Sequence, residues 1–248
     1  MPYRPLHSDP ETLRRERPWV FASAATLAAV AGFVNVCVLG FFLVPVSHMT
    51  GAVSRLSIDA AAGDFTDLRL VLSIGGGFLA GAVLSGVLIG GRKFTPGHRY
   101  SVALVAEGCL LAFASYLLVR GERMGVPLAA MACGVQNAFG SSYYGLVIRT
   151  THVSGIVTDI GVMLGHWLRH RRVRAWKLLL LVTILLSFFA GGVLGAFGLR
   201  VLGAGALALP ATACFAMSAG YYVWFRRHAA ATRTAAPADE APADEAPG

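Results

Sequence analysis

Six runs of predominantly apolar residues decide what this chain can become. They cover about Val20–Val44, Leu70–Gly90, Tyr100–Val119, Val126–Ile148, Leu178–Leu199 and Val201–Phe225. Each approaches the roughly 20 residues that an α-helix needs to cross the hydrocarbon of a bilayer. In lipid a backbone must satisfy its own N–H and C=O groups, so such runs are read as helices. Composition argues against a water-soluble core. The chain is 56% hydrophobic and 14% charged, where soluble domains carry about 25% charge, and its mean hydropathy is +0.63. The first run exceeds the apolar region of a signal peptide, about 7–15 residues, and its far end, "VPVSHMTG", has no small-x-small cleavage site. It is read as a span.

Basic residues orient the spans. An even number of crossings puts both termini on one side, and 16 of the 21 Lys and Arg residues fall there. Cytoplasmic loops are rich in Lys and Arg, so the termini are expected inside. The formal charge of +8 is thus a topology signal and does not point to nucleic acid. The short basic stretch "WLRHRRVRAWK" suits a bilayer with anionic headgroups on the cytoplasmic face. Cys37, Cys109, Cys133 and Cys214 all fall in predicted spans, with no zinc or disulfide spacing, and read as small apolar filler. Residues 1–18 form an expected cytoplasmic arm, 19–120 and 121–226 two membrane repeats, and 227–248 a disordered Ala/Pro/Asp/Glu tail in which "APADE" occurs twice.

The repeats rest on landmarks in matching order. "SHMTGAVSRL" (Ser47–Leu56) has the grammar of "THVSGIVTDI" (Thr151–Ile160), "GFVN" ending at Asn35 that of "GVQN" ending at Asn137, and "FLAGAVLSG" (Phe78–Gly86) that of "FFAGGVLGA" (Phe188–Ala196). Each half reads as span, polar cassette, span, span. Three crossings per half would set the second half upside down. The expected fold is therefore an all-α integral membrane protein of six transmembrane helices. They would form two inverted three-helix repeats, each with an interrupted or re-entrant helix. Pro45, Gly51 and Gly155 disfavour unbroken helices at the cassettes, and Ser47, Thr50, Thr151 and Ser154 suit helix caps. Inverted repeats with broken helices are a recurring plan of secondary transporters.

The motifs "AGFVN", "SHMTG", "GVQNA" and "RTTHVSGIVTDIG" resemble the YoaK-like family of uncharacterised bacterial inner-membrane proteins, domain of unknown function 1275, over roughly Val20 to Phe225. The resemblance implies about six helices in the inner (plasma) membrane, a multi-pass protein, and no established activity. It also marks two departures, Asn35 where the family often has Asp and Ala52 where it often has Asn.

The function expected is secondary transport of a small molecule, anionic by preference, between the two His-x-[ST]-Gly cassettes near mid-membrane. Alternatives are a channel or a non-transporting scaffold. A membrane enzyme fits less well, because no nucleophile–base pair is visible. Substrate-binding candidates are His48, Thr50, Gly51, Arg55, Asn137, His152, Ser154 and Gly155. The histidines are symmetry mates, and intramembrane ionisable groups mark function by default. Arg55 and Asp159 hold the same slot, seven residues after each histidine, and are expected to pair across the repeats, with Asp59 as a local i,i+4 alternative for Arg55. Asp159, Glu107 and Asp59 are candidates for a coupling ion or proton, and Tyr143 and Tyr144 lie deep enough to contact a ligand. No catalytic residue, metal or cofactor is expected, and a homo-oligomer is compatible with the pattern.

Overall fold

The computed structural model describes residues 10–42, 46–63, 68–89, 98–141, 150–171 and 175–234. Those residues are helical apart from short turns. The α-helices are α1 (Pro10–Phe42), α2 (Met49–Ala62), α3 (Leu68–Ile89), α4 (His98–Val119), α5 (Gly125–Ser141), α6 (Val153–His170), α7 (Ala175–Leu202) and α8 (Ala208–Thr234). The long apolar helices α1, α3, α4, α5, α7 and α8 fall on the six apolar runs. The polar cassettes supply α2 and α6. Two ends differ from the sequence expectation. α1 begins at Pro10, within the stretch read as an arm, since proline needs no N–H partner in a first turn. α8 continues to Thr234, past the expected start of the tail, because Arg, His and Ala extend a helix readily.

Among the described residues four stretches are long and apolar enough to cross a membrane: Pro18–Phe42, Leu68–Ile89, Arg99–Val119 and Ala175–Val223. The difference from six has two causes. α5 is described over 17 residues, Gly125–Ser141, and the rest of the fourth apolar run lies outside the described residues. The last stretch holds 49 residues, about 74 Å if straight, far beyond a bilayer core of about 30 Å. It is turned at Gly203, whose φ of +57° suits glycine alone, and passes through a 3-10 turn, Gly203–Leu207, into α8. Exposed Leu72, Leu79, Val83 and Val87 on α3, and Leu186, Phe189, Leu194 and Phe197 on α7, give the outer surface a lipid-compatible character.

Helix pairing crosses between the halves. α1 packs along α7, and α3 along α5. In the first pair Gly191 meets Ala29 and Gly195 meets Phe33; in the second Gly77 meets Pro127 and Gly81 meets Met131. Numbers rise together in both, so both pairs run parallel. The registers also match. Gly32 abuts the Phe188 carbonyl as Gly134 abuts that of Phe78, 102 positions apart on α1/α5 and 110 on α3/α7. Glycine at these crossings lets backbones touch, which in lipid replaces the hydrophobic drive between helices. α4 and α8 run antiparallel, with Tyr100 stacked on Tyr221 at a ring separation of 5.6 Å. Further along the same pair, the hydroxyls of Ser101 and Ser218 donate to each other's carbonyls at 3.3 and 3.0 Å.

The core has two storeys. One gathers Val34, Cys37, Leu111, Val126, Cys133 and Cys214, from the second halves of α1 and α4 and the first halves of α5 and α8. The other gathers Val20, Leu27, Ile89, Leu104, Ile184 and Tyr221. Val46 and Met49 of the first cassette belong to the former storey, and Ile156 and Ile160 of the second to the latter.

Candidate functional site

Each cassette is tied back to the helix that precedes it. The Ser47 hydroxyl donates to Asn35 Oδ1 at 2.8 Å, and its backbone N–H lies 3.4 Å from the same oxygen. The Thr151 hydroxyl donates to Asn137 Oδ1 at 2.9 Å. Asn35 is seven residues from the end of α1, about 10 Å of helix. Ser47 therefore lies back alongside α1 before α2 begins. The second copy has an added brace. Buried Gln136 donates to the Leu27 carbonyl and, at 3.1 Å, to the Thr150 hydroxyl. Irregular backbone at membrane depth has to be satisfied by protein or water; here Asn35 takes the Ser47 N–H, while the amide–hydroxyl bonds fix where each cassette sits.

The helices then start alike. His48 caps α2 at φ −111°, ψ 79°, and His152 caps α6 at φ −95°, ψ 63°, neither with a side-chain hydrogen bond into its helix. Their carbonyls accept the first helical bonds, from Ala52 at 3.2 Å and Ile156 at 3.1 Å. The sequence expectation needs two corrections here. Histidines hold the cap positions, and the hydroxyls of Ser47 and Thr151 reach back to the asparagines instead. Gly51 and Gly155 do not mark the helix breaks but lie in the first turns of α2 and α6. A β-carbon at Gly155 would meet the His152 ring, 2.9 Å from Cε1, so glycine there makes room for the imidazole. His48, Thr50, His152 and Ser154 are exposed.

Charges are settled within elements. Arg55 Nε donates to both Asp59 oxygens, at 3.0 and 3.1 Å, one turn along α2. The carboxylate side is buried and the guanidinium side is 56% exposed. This replaces the expected pairing of Arg55 with Asp159: α2 packs on α3 and α6 on α7, without contact between α2 and α6. An i,i+4 partner on the same helix requires no ordering of a second element. Asp159 is exposed. Glu107 is 2% exposed on α4, with the Cys214 thiol of α8 and the Cys133 thiol of α5 as its titratable neighbours. Among the described residues no three His, Cys, Asp or Glu side chains are placed to hold a metal ion. Tyr143 and Tyr144 lie outside the described residues.

In the second copy the structure joins Asn137 to its cassette and sets His152 against Gly155; in the first it joins Asn35 to Ser47. It does not bring the two cassette helices together. Sequence reasoning missed Ser47, Thr150 and Thr151 as tethers. The available signal was the near-equal separation of amide and hydroxyl, 12 residues in one copy and 14 in the other.

Comparison with known proteins gives a consistent class. A family model described as "Protein of unknown function (DUF1275)" matches residues 23–220. A UPF0700 transmembrane protein, RA0705, of Rhizobium meliloti (strain 1021) is 31% identical over 206 residues, 83% of this chain and 86% of its own length. No solved structure matches significantly. Together with the apolar helices, these findings make the chain a multi-pass membrane protein.

Proposed function

For a chain that belongs to the DUF1275 family, we propose secondary transport of a small molecule by two inverted repeats, each of three crossings and one re-entrant cassette. The observation that carries this reading is the twofold recurrence of one packing register. In six alternating crossings, the first and fifth run the same way, as do the second and fourth, while the third and sixth oppose. The parallel α1/α7 and α3/α5 pairs and the antiparallel α4/α8 pair have those senses. The cassettes support it further, because their matching tethers and histidine caps sit in opposite storeys of the core. Opposite storeys are what broken helices entering from opposite faces would occupy, which supports the reading without bringing the two helices into contact. Helix N-termini without side-chain caps favour a negative group, so an anionic ligand is the preferred class.

Residues contacting the ligand in this reading are His48, Thr50, Gly51, Ser154, His152 and Gly155 at the cassette mouths, with Asn137 and Arg55 behind them. Proteoliposome uptake across anionic, neutral and cationic metabolites, with and without a pH gradient, tests it. Saturable uptake of one class that is lost in the His48→Gln/His152→Gln double variant is the expected result. Uptake no faster than in empty vesicles for every class would refute transport. The topology is tested separately: a cysteine at Gly121 should react with impermeant thiol reagents from outside, and one at Lys177 only after permeabilisation. Equal sidedness would end the inverted six-span reading.

A further inference from the structure

Glu107 stands apart from the other acids whose side chains are described. Asp59 is ion-paired, and Asp159 and Glu122 are exposed. Glu107 lies near the middle of α4 with 2% of its surface accessible. One turn before it, Leu104 belongs to one storey of the core; one turn after it, Leu111 belongs to the other. The carboxyl therefore occupies the seam between the storeys, where α4 of the first half meets α5 and α8 of the second.

The groups facing it can be named element by element. α8 contributes the Cys214 thiol, a weak donor within reach of the carboxyl, and Phe215 packed on neighbouring Gly108. α5 contributes the Cys133 thiol. The 3-10 turn Gly203–Leu207 holds no titratable residue, and the one charged residue of α3, Arg69, is at its far N-terminal end. No cation among the described residues pairs with Glu107.

An ionised carboxylate has about four acceptor sites, and among the described residues one weak S–H donor is the only titratable donor placed to serve them. Burying such an ion unpaired costs several kcal/mol or more, whereas a protonated carboxyl is tolerated. Sodium or calcium would need several oxygen ligands, and among the described residues no second acid accompanies Glu107, whose titratable neighbours are thiols. The remaining ligand is the proton. We propose that Glu107 is a reversible proton-binding site at mid-membrane, with Cys214 as its hydrogen-bond partner. The site rests on the transport reading only for its consequence, that proton binding there is linked to the rocking of the two halves that meet at this seam.

The test needs no substrate. Infrared difference spectra of the full chain in liposomes, between acidic and alkaline buffer, report the C=O stretch of a protonated carboxylic acid. A band present in acid, lost in alkali, absent from Glu107→Gln and displaced in Cys214→Ala is the expected pattern. A Glu107 band that persists at every pH means a permanently held proton and overturns the proposal; no such band in acid means a permanent ion and also overturns it. Should Glu107→Gln fail to accumulate, an unshifted band in Cys214→Ala removes the assigned pairing. Failure of the uptake screen would remove transport and leave these spectra untouched, while uptake indifferent to a pH gradient alongside a titrating band would remove only the linkage.

Discussion

Replacing Gly32 or Gly134 by alanine tests the matched crossings directly. A β-carbon on Gly32 would lie 2.9 Å from the Phe188 carbonyl carbon and 3.1 Å from Gly192 N; on Gly134 it would lie 2.9 Å from the Phe78 carbonyl carbon and 3.1 Å from Ala82 N. The carbonyl oxygens are nearer still. Ordinary contact begins at 3.4 Å, so each pair of backbones must part by at least half an ångström. Overpacking of this kind costs about 1–3 kcal/mol. Alanine also gains about 1 kcal/mol of helix propensity over glycine, which would blur a comparison with the parent. Gly75→Ala removes that ambiguity, since Gly75 is helical and a β-carbon there meets nothing within 4 Å. The two crossing variants should each fall about 1–3 kcal/mol below Gly75→Ala, and by similar amounts. Equilibrium unfolding by SDS titration in mixed micelles measures this. Crossing variants as stable as Gly75→Ala would refute the close-packing argument, and one strongly destabilised beside one unaffected would refute the equivalence of the two registers.

Loss of a cassette tether in Ser47→Ala or Thr151→Val should cost about 0.6 kcal/mol, the average for hydrogen bonds between transmembrane helices; in the same titration, penalties for Thr151→Val and Asn137→Ala that simply add would rule out their pairing. Arg55→Ala should lower the thermal midpoint in detergent more than Asp59→Asn does, because the first strands a buried carboxylate and the second leaves an arginine already largely exposed. The reverse order would contradict that account. Gly155→Ala should drive the His152 ring off the first turn of α6, read as faster modification of His152 by diethylpyrocarbonate; an unchanged rate would show that the ring does not rest there.

Much of the fold was legible because it is written in spacing. The apolar runs located the long helices, and the pairs Asn35/Asn137 and Phe78/Phe188 marked the repeat that packing realises. Legibility failed where the choice of partner depends on three dimensions. Ser47 and Thr151 carry good capping chemistry, but each lies beside an asparagine on the returning helix, and that bond is made instead. Arg55 and Asp159 share a sequence slot, but Asp59 is one turn away and α6 is docked elsewhere. The division of the final apolar stretch, by contrast, was legible to within a few residues: the runs part at Leu199/Val201 and the backbone turns at Gly203. The burial of Glu107 could not be read from α4 alone, since it depends on α5 and α8 closing over it.

The crossed pairing of helices has a consequence for biosynthesis. Ala29 touches Gly191, 162 positions later in the chain, so α1 enters the bilayer long before its principal partner has been translated. α3 waits a shorter time for α5. The first three crossings therefore cannot complete a packed unit during synthesis, and contacts of such long sequence separation form slowly. A nascent chain halted after α5 would present the glycine-lined side of α1 to lipid and to the quality-control proteases. Neither half should accumulate when expressed alone, whereas the two halves co-expressed as separate chains should find one another.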